Sequence, residues 1–264
     1  MLVTNKKANL YLKSILNALK QFENEIESII LFGSQARNEA SSVSDVDLLI
    51  ILKNNNRQVK NKITGILRFI ELEFSYANDP TNLLELLLTY INIATGMFKS
   101  WFICSKSDFR EKKFFKITET NRILGRIFAP SALIMENILR DGKVIYGRQS
   151  ILDFREGNRS LNIQPFRSLI LNEFLALGAL IISPFSKLSS FYSLESIKWS
   201  LFMADELKIK KSNFLKVNRS FFTWYYTMRK GGLQTPYFSI YTPLMILKIH
   251  FLVFHSLKKI KTIK

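Results

Sequence analysis

The stretch Leu31-Phe-Gly-Ser-Gln-Ala-Arg-Asn-Glu-Ala-Ser-Ser-Val-Ser-Asp-Val-Asp-Leu-Leu-Ile50 decides how this chain is read. It begins at the end of a short apolar run, Ser28 to Phe32, that stops abruptly at Gly33–Ser34, the pattern of a strand feeding a turn. It closes inside a second run, Asp45 to Leu52, which reads as another strand ended by the turn signal Asn54–Asn55–Asn56. A spacing of two on a strand places the carboxylates of Asp45 and Asp47 on one face, with Val46 and Leu48 on the other. Two carboxylates held that close repel unless a cation sits between them or one is protonated. Hard oxygen ligands with open positions suit magnesium, which completes its shell with water and phosphate oxygens. A pair binding two such ions can activate an attacking hydroxyl and clamp an in-line phosphoryl displacement. Gly33 lets the backbone approach a phosphate closely, and the helix start behind it offers unpaired amide donors. Ser34 adds a hydroxyl, and Arg37, one turn further along, can reach a triphosphate. Ser44, immediately before Asp45, can cap the turn or orient the carboxylate.

Outward from this stretch, Asn5 to Asn24 carries apolar residues at mostly helical spacing. Gln58 to Leu67 reads as a short helix. Phe69 to Phe74 then alternates Phe69, Glu71 and Glu73 against Ile70, Leu72 and Phe74, the period-two pattern of a half-buried strand. Asp79–Pro80 starts a helix running to about Met97, and Trp101 to Cys104 reads as a fourth strand. A long helical stretch leads to Arg140, where Asp141–Gly142 turns the chain into a strand from Val144 to Tyr146. Beyond Gly147 no alternation is evident. Asn162 to Ile182, Ser193 to Leu207, Phe214 to Met228 and Pro243 to Leu257 read as helices. The expected division is therefore an α/β (α+β) domain with a small mixed sheet over residues 1–148, followed by a mostly helical domain over residues 149–264.

With 264 residues and 47% hydrophobic content the chain can bury a core, which argues against wholesale disorder. Its formal net charge is +17, from 38 Lys and Arg against 21 Asp and Glu. Residues from 151 onward hold 17 basic and 6 acidic side chains, so a surplus of 11 lies in the C-terminal half and favours a polyanionic partner such as nucleic acid. A single cysteine, Cys104, rules out an internal disulfide and fits a reducing cytoplasm. The start, MLVTNKKANLYLKS, lacks the apolar core of a signal peptide. Leu169 to Phe185 and Thr242 to Leu257 are interrupted by polar residues or too short to span a bilayer, so no stable membrane insertion is expected. A minor reading lays the last helix and KKIKTIK on a membrane surface.

Taken together and in this order, Leu31-Phe32-Gly33-Ser34 and Asp45-Val46-Asp47-Leu48 resemble the motif of the nucleotidyltransferase superfamily that includes DNA polymerase beta. The further Gly-Ser-x-Ala-Arg and Ser-Asp-x-Asp-Leu features look most like the prokaryotic minimal nucleotidyltransferases. The resemblance covers Gly33 to Leu52. It implies a nucleotidyltransferase fold with Asp45 and Asp47 as catalytic metal ligands, two magnesium ions, and a nucleoside triphosphate, ATP by expectation, seated on Gly33, Ser34, Arg37 and Ser44. The family also places a third carboxylate on a following strand. Glu71 and Glu73 both qualify on the alternation above, with a lean to Glu73 as catalytic residue and metal ligand.

The resemblance implies transfer of a nucleoside monophosphate to a hydroxyl, with pyrophosphate released. The acceptor stays open between RNA such as tRNA and a partner protein, as in toxin–antitoxin pairs, with a cationic aminoglycoside least suited to so basic a chain. The alternative is a non-catalytic nucleotide- or RNA-binding module or antitoxin component, and an oligomer is compatible with either. The HEPN-type helical domains that accompany minimal nucleotidyltransferases carry, when ribonucleolytic, an Arg followed several residues later by His. That spacing is absent, which disfavours an RNase. His250 and His255 read as ordinary helix histidines. Phe221, Phe222, Trp224, Tyr225 and Tyr226 beside Arg229 and Lys230 read as a buried helix with a basic end before they read as a base-stacking surface.

Overall fold

The computed structural model describes residues 6–38, 40, 44–76, 99–121, 138–149, 163–185 and 188–206, with single positions 80, 83, 86, 89 and 135. The chain divides into two compact units, Met1–Arg126 with Ser131–Arg159, and Ile127–Pro130 with Ser160–Lys264.

In the first unit four strands form one mixed sheet: β1 (Ile26–Phe32), β2 (Asp47–Leu52), β3 (Trp101–Ser105) and β4 (Lys143–Gly147), in the order β3-β2-β1-β4. β1 pairs antiparallel with both β2 and β4, and β2 pairs parallel with β3. Helices α1 (Lys6–Leu19) and α3 (Arg57–Glu73) contribute to the core against one face. Alternation on β2 sends Val46, Leu48, Ile50 and Leu52 into that core, where they meet Leu12 and Ile15 of α1, Ile63 and Leu67 of α3, and Ile103 of β3. Each such side chain, fully buried, stabilises the unit by about 1.5–3 kcal/mol before entropy is counted. Between β1 and β2 stands a single turn of helix, α2 (Gly33–Ala36). Two short helices, α4 (Lys106–Arg110) and α5 (Phe114–Thr118), follow β3.

Two expectations need correction. β2 begins at Asp47, so Asp45 precedes the strand. More consequentially, Phe69 to Phe74 is not a strand: α3 runs unbroken from Arg57 to Glu73. Asn56 starts it, its side-chain Oδ1 accepting from the Gln58 and Val59 amides at 3.0 and 3.3 Å. Its buried positions Ile63, Leu67 and Ile70 follow the helical period over the whole segment, whereas the six-residue alternation is local, and Phe69 is left exposed. The strand at Trp101 and the turn into β4 agree with the expectation. Of the helix expected over residues 79–97 only positions 80, 83, 86 and 89 are described, the last three of them helical, and the long helix expected up to Arg140 is, over residues 106–121, the two short helices α4 and α5 with a break between them.

The described part of the second unit consists of α6 (Ile163–Ile182) and α7 (Leu188–Glu206), packed on each other. Buried Ser189, Ser193, Ser196 and Ser200 recur at helical spacing on α7, where small side chains permit close approach. The expected helices over 214–228 and 243–257, with His250, His255 and the aromatic group 221–226, lie outside the described residues. Among the described residues no helix is long and apolar enough to cross a membrane.

Candidate functional site

Asp47 opens β2 opposite Phe32, the last residue of β1, and Gly33 follows at once. Gly33 has φ +70, a conformation costly for any side chain, and a Cβ built on it would lie 2.1 Å from Asp47 Oδ2. The Gly33–Ser34 backbone thus abuts the carboxylate with no room for a methyl group between them. Val46 is buried in the core while Asp45 and Asp47 are half-buried on either side of it, so alternation turns both carboxylates away from the core. The expected shared face therefore holds, although Asp45 lies before the strand. Ser34 is half-buried in α2, and Ser44 is buried directly before Asp45. Arg37 sits at the C-terminal cap of α2, where its guanidinium pairs with Asp141 at 3.6 Å. Arg140 binds the same carboxylate and, with Arg37, holds the Asp141 carboxyl below its usual range.

Two core helices bring further groups to this end of the sheet. Glu71 of α3 is buried, and burial raises its proton affinity above the ordinary carboxylate value, with the negative charge of Asp45 adding to the rise. The Trp101 indole approaches the same carboxyl and favours its charged form, yet its Nε1 closes no hydrogen bond within ordinary geometry. Tyr11 of α1 is buried, and its hydroxyl also lacks a partner among the described residues. Burial, then the charges of Glu71, Tyr76, Asp45 and Asp47, push its proton affinity up. Its ring packs on Phe74 at 5.6 Å and Tyr76 at 4.6 Å, and Lys7 lies 4.5 Å over the Tyr76 ring. Burial and the nearby Asp45 push the Tyr76 hydroxyl up to about 12. Gln35, two residues beyond Gly33, is buried with both amide atoms unpaired among the described residues. Buried polar groups without partners are rare in folded proteins. Three of them, on Tyr11, Gln35 and Trp101, lie on the segments that surround the carboxylates. None of the three was singled out from sequence, because each reads locally as an ordinary core or helix residue.

Because α3 is a helix, Glu71 and Glu73 are turned about 200° apart and share no face. Glu71 is buried and close enough to Asp45 to feel its charge, whereas Glu73 is exposed and lines a groove with Ser14 and Asn17 of α1. β3, the strand beside β2, reads Trp-Phe-Ile-Cys-Ser and carries no carboxylate. The strand expected to present a third carboxylate therefore does not exist at 69–74, and of the two glutamates only Glu71 is brought toward the aspartates.

Among the described residues no group of three or more His, Cys, Asp and Glu side chains converges as a cage for a metal ion. Asp45 and Asp47 nevertheless fit magnesium, which is commonly held by one or two carboxylates with water and substrate phosphates supplying the rest. The close seat of Gly33 on Asp47 fits that arrangement, since it leaves bare backbone beside the carboxylate.

Residues 12–128 match the family model described as a nucleotidyltransferase domain. A Methanocaldococcus jannaschii protein whose name assigns it as a protein adenylyltransferase is 47% identical over 74 residues, 27% of this chain and 48% of that protein. The chain thus spans about half the length of the curated relative it matches. The crystal structure of a spectinomycin adenyltransferase from Enterococcus faecialis, with ATP and spectinomycin, is similar over 95% of this chain and 99% of that one. Its TM-score is 0.44 and its identity 11%, a likeness too loose to bear on site or acceptor.

Proposed function

We propose that this chain, whose residues 12–128 match the model of a nucleotidyltransferase domain, is a nucleotidyltransferase of the DNA polymerase beta superfamily that transfers a nucleoside monophosphate from a nucleoside triphosphate to an acceptor hydroxyl. The observation that carries the reading is the contact of the Gly33 backbone with the Asp47 carboxylate, which joins a phosphate seat to a cation seat without an intervening side chain. Asp45 and Asp47 would hold magnesium together with the triphosphate. When bound, magnesium neutralises phosphate charge and lowers the proton affinity of the acceptor hydroxyl. Gly33 and Ser34 take the phosphates by backbone amide and hydroxyl. Arg37 joins them by exchanging Asp141 for phosphate, and Ser44 orients Asp45. Glu71 is the third carboxylate, and its raised proton affinity suits it to accept the proton that the acceptor hydroxyl loses. The acceptor oxygen bonds to the α-phosphorus, the bond from that phosphorus to the bridging oxygen breaks, and pyrophosphate leaves.

ATP is the proposed donor and a protein hydroxyl the proposed acceptor, both on the strength of the name carried by the M. jannaschii relative. The net charge of +17 supports RNA as the competing acceptor. A second reading, a nucleotide- or RNA-binding module or antitoxin component without turnover, is favoured by one feature: β3, the strand that follows β2 in the chain and pairs with it, lacks a carboxylate.

Incubation with α-labelled ATP, magnesium and either cell lysate or pooled tRNA tests the reading, with Asp45→Asn/Asp47→Asn as control. Label on a macromolecule with the wild type alone is the expected outcome, and digestion with protease or ribonuclease then identifies the acceptor. Nucleotide bound but never transferred, whatever divalent ion is supplied, would move the assignment to the non-catalytic module. Equal labelling by wild type and the double variant would remove Asp45 and Asp47 from the site.

A further inference from the structure

We propose that Lys99 is a phosphate-binding residue of the nucleotide site, kept in place by Glu119 until a triphosphate arrives. The proposal rests on the nucleotidyltransferase reading and adds a residue that no motif marks.

Position is the first argument. β2 and β3 run parallel with Leu48 opposite Trp101, and the Leu48 amide donates to the Ser100 carbonyl at 2.8 Å. Continued one step back, that register sets Ser100 beside Asp47 and Lys99 beside Val46. Lys99 therefore enters the sheet at the same end as both aspartates, one strand away; the register gives it the face of Val46, and its ammonium lies at the sheet edge, over the rings of both Trp101 and Phe102.

Charge is the second argument. The Lys99 ammonium lies 2.5 Å from Glu119 Oε2, and the Lys60 ammonium of α3 lies 2.5 Å from Oε1 of the same carboxylate. Two cations share one anion, so this cluster carries one surplus positive charge. The Lys99 ammonium also lies 4.7 Å from the Trp101 ring centre and 5.6 Å from that of Phe102, contacts that keep it at the strand end independently of Glu119. Its side chain is 20% exposed.

The third argument is how the anion is held. Glu119 has φ +58, a backbone conformation that a non-glycine residue keeps only where its surroundings over-determine it. Burial opposes ionisation of Glu119, and the flanking Lys99 and Lys60 overcome that and hold its carboxyl below the usual range. A triphosphate can take Lys99 while Glu119 keeps Lys60, which exchanges one charge-assisted contact for another and leaves no carboxylate unpaired.

A purely structural staple between α3 and the segment after α5 would make a different forecast: loss of thermal stability with no change in nucleotide affinity. Equilibrium binding of magnesium-ATP and of tripolyphosphate to the full chain separates the two. Lys99→Gln is expected to weaken both ligands about tenfold, the scale of one charge-assisted hydrogen bond. Lys99→Arg should restore most of the affinity, and Glu119→Gln, which releases Lys99 from its competitor, should tighten ATP binding. A Lys99→Gln variant that binds both ligands like the wild type overturns the proposal, as does an equal loss in Lys99→Arg. Wild-type protein that binds neither ligand would instead overturn the nucleotide site itself, a result distinct from failure at Lys99.

Discussion

At the scale of the residue, Gly33 is the position at which one methyl group would do most damage. A side chain there meets a left-handed φ of +70 and the Asp47 Oδ2 atom at 2.1 Å at the same time. Gly33→Ala is expected to cost about 1–2 kcal/mol in stability from the backbone alone. The larger effect belongs to function: displacing Asp47 by the distance needed to clear the methyl should lower transfer by about 100-fold or more. Thermal melting and labelled-nucleotide transfer measure the two separately, and an active Gly33→Ala variant would show that the carboxylate need not lie against the glycine backbone. Glu71 stands at the other extreme, a buried carboxyl 3.9 Å from the Arg68 guanidinium, near the buried donors of Tyr11 and Trp101, which close no ordinary hydrogen bond among the described residues. Such groups weaken a ligand-free fold, which is expected where a site is built to be completed by substrate.

At the scale of the element, α3 links stability to the site. Its start is fixed by Asn56, its inner face by Ile63, Leu67 and Ile70, and its last inward turn carries Glu71. Asn56→Ala removes the acceptor for two amides and is expected to cost about 1 kcal/mol, lowering the melting midpoint by about 2–4 °C. Transfer activity should persist, because the cap lies four turns from Glu71; a large loss of activity at unchanged stability would contradict that division. The misreading of Phe69 to Phe74 has its cause in the same element. Six residues in which polar and apolar types alternate satisfy a strand locally, but Val59, Ile63, Leu67 and Ile70 impose a 3.6-residue period over the longer segment, and the core against β2 rewards that one.

At the scale of the whole chain, the distribution of charge bears on the proposed acceptor. The surplus of basic residues is concentrated after position 150, whereas Asp45, Asp47 and Glu71 all belong to the first unit. If RNA is the acceptor, its binding should weaken by roughly tenfold or more between 50 and 200 mM salt, as three or more phosphate contacts require. Filter binding over that range checks this, and a flat response would favour the protein acceptor. The sequence alone determined the strand–turn–helix start at Gly33, the placement of Asp45 and Asp47 on one side, the strand at Trp101 and the mixed α/β class, because each follows from periodicity and turn chemistry within a few residues. It could not choose between Glu71 and Glu73, nor bring Tyr11 and Glu71 within reach of the Asp45 charge, nor set Lys99 against Glu119. Those residues come from separate elements, and only the packing of α1 and α3 on the sheet and the β2–β3 register decide which of them meet, through burial and charge acting across long sequence separations.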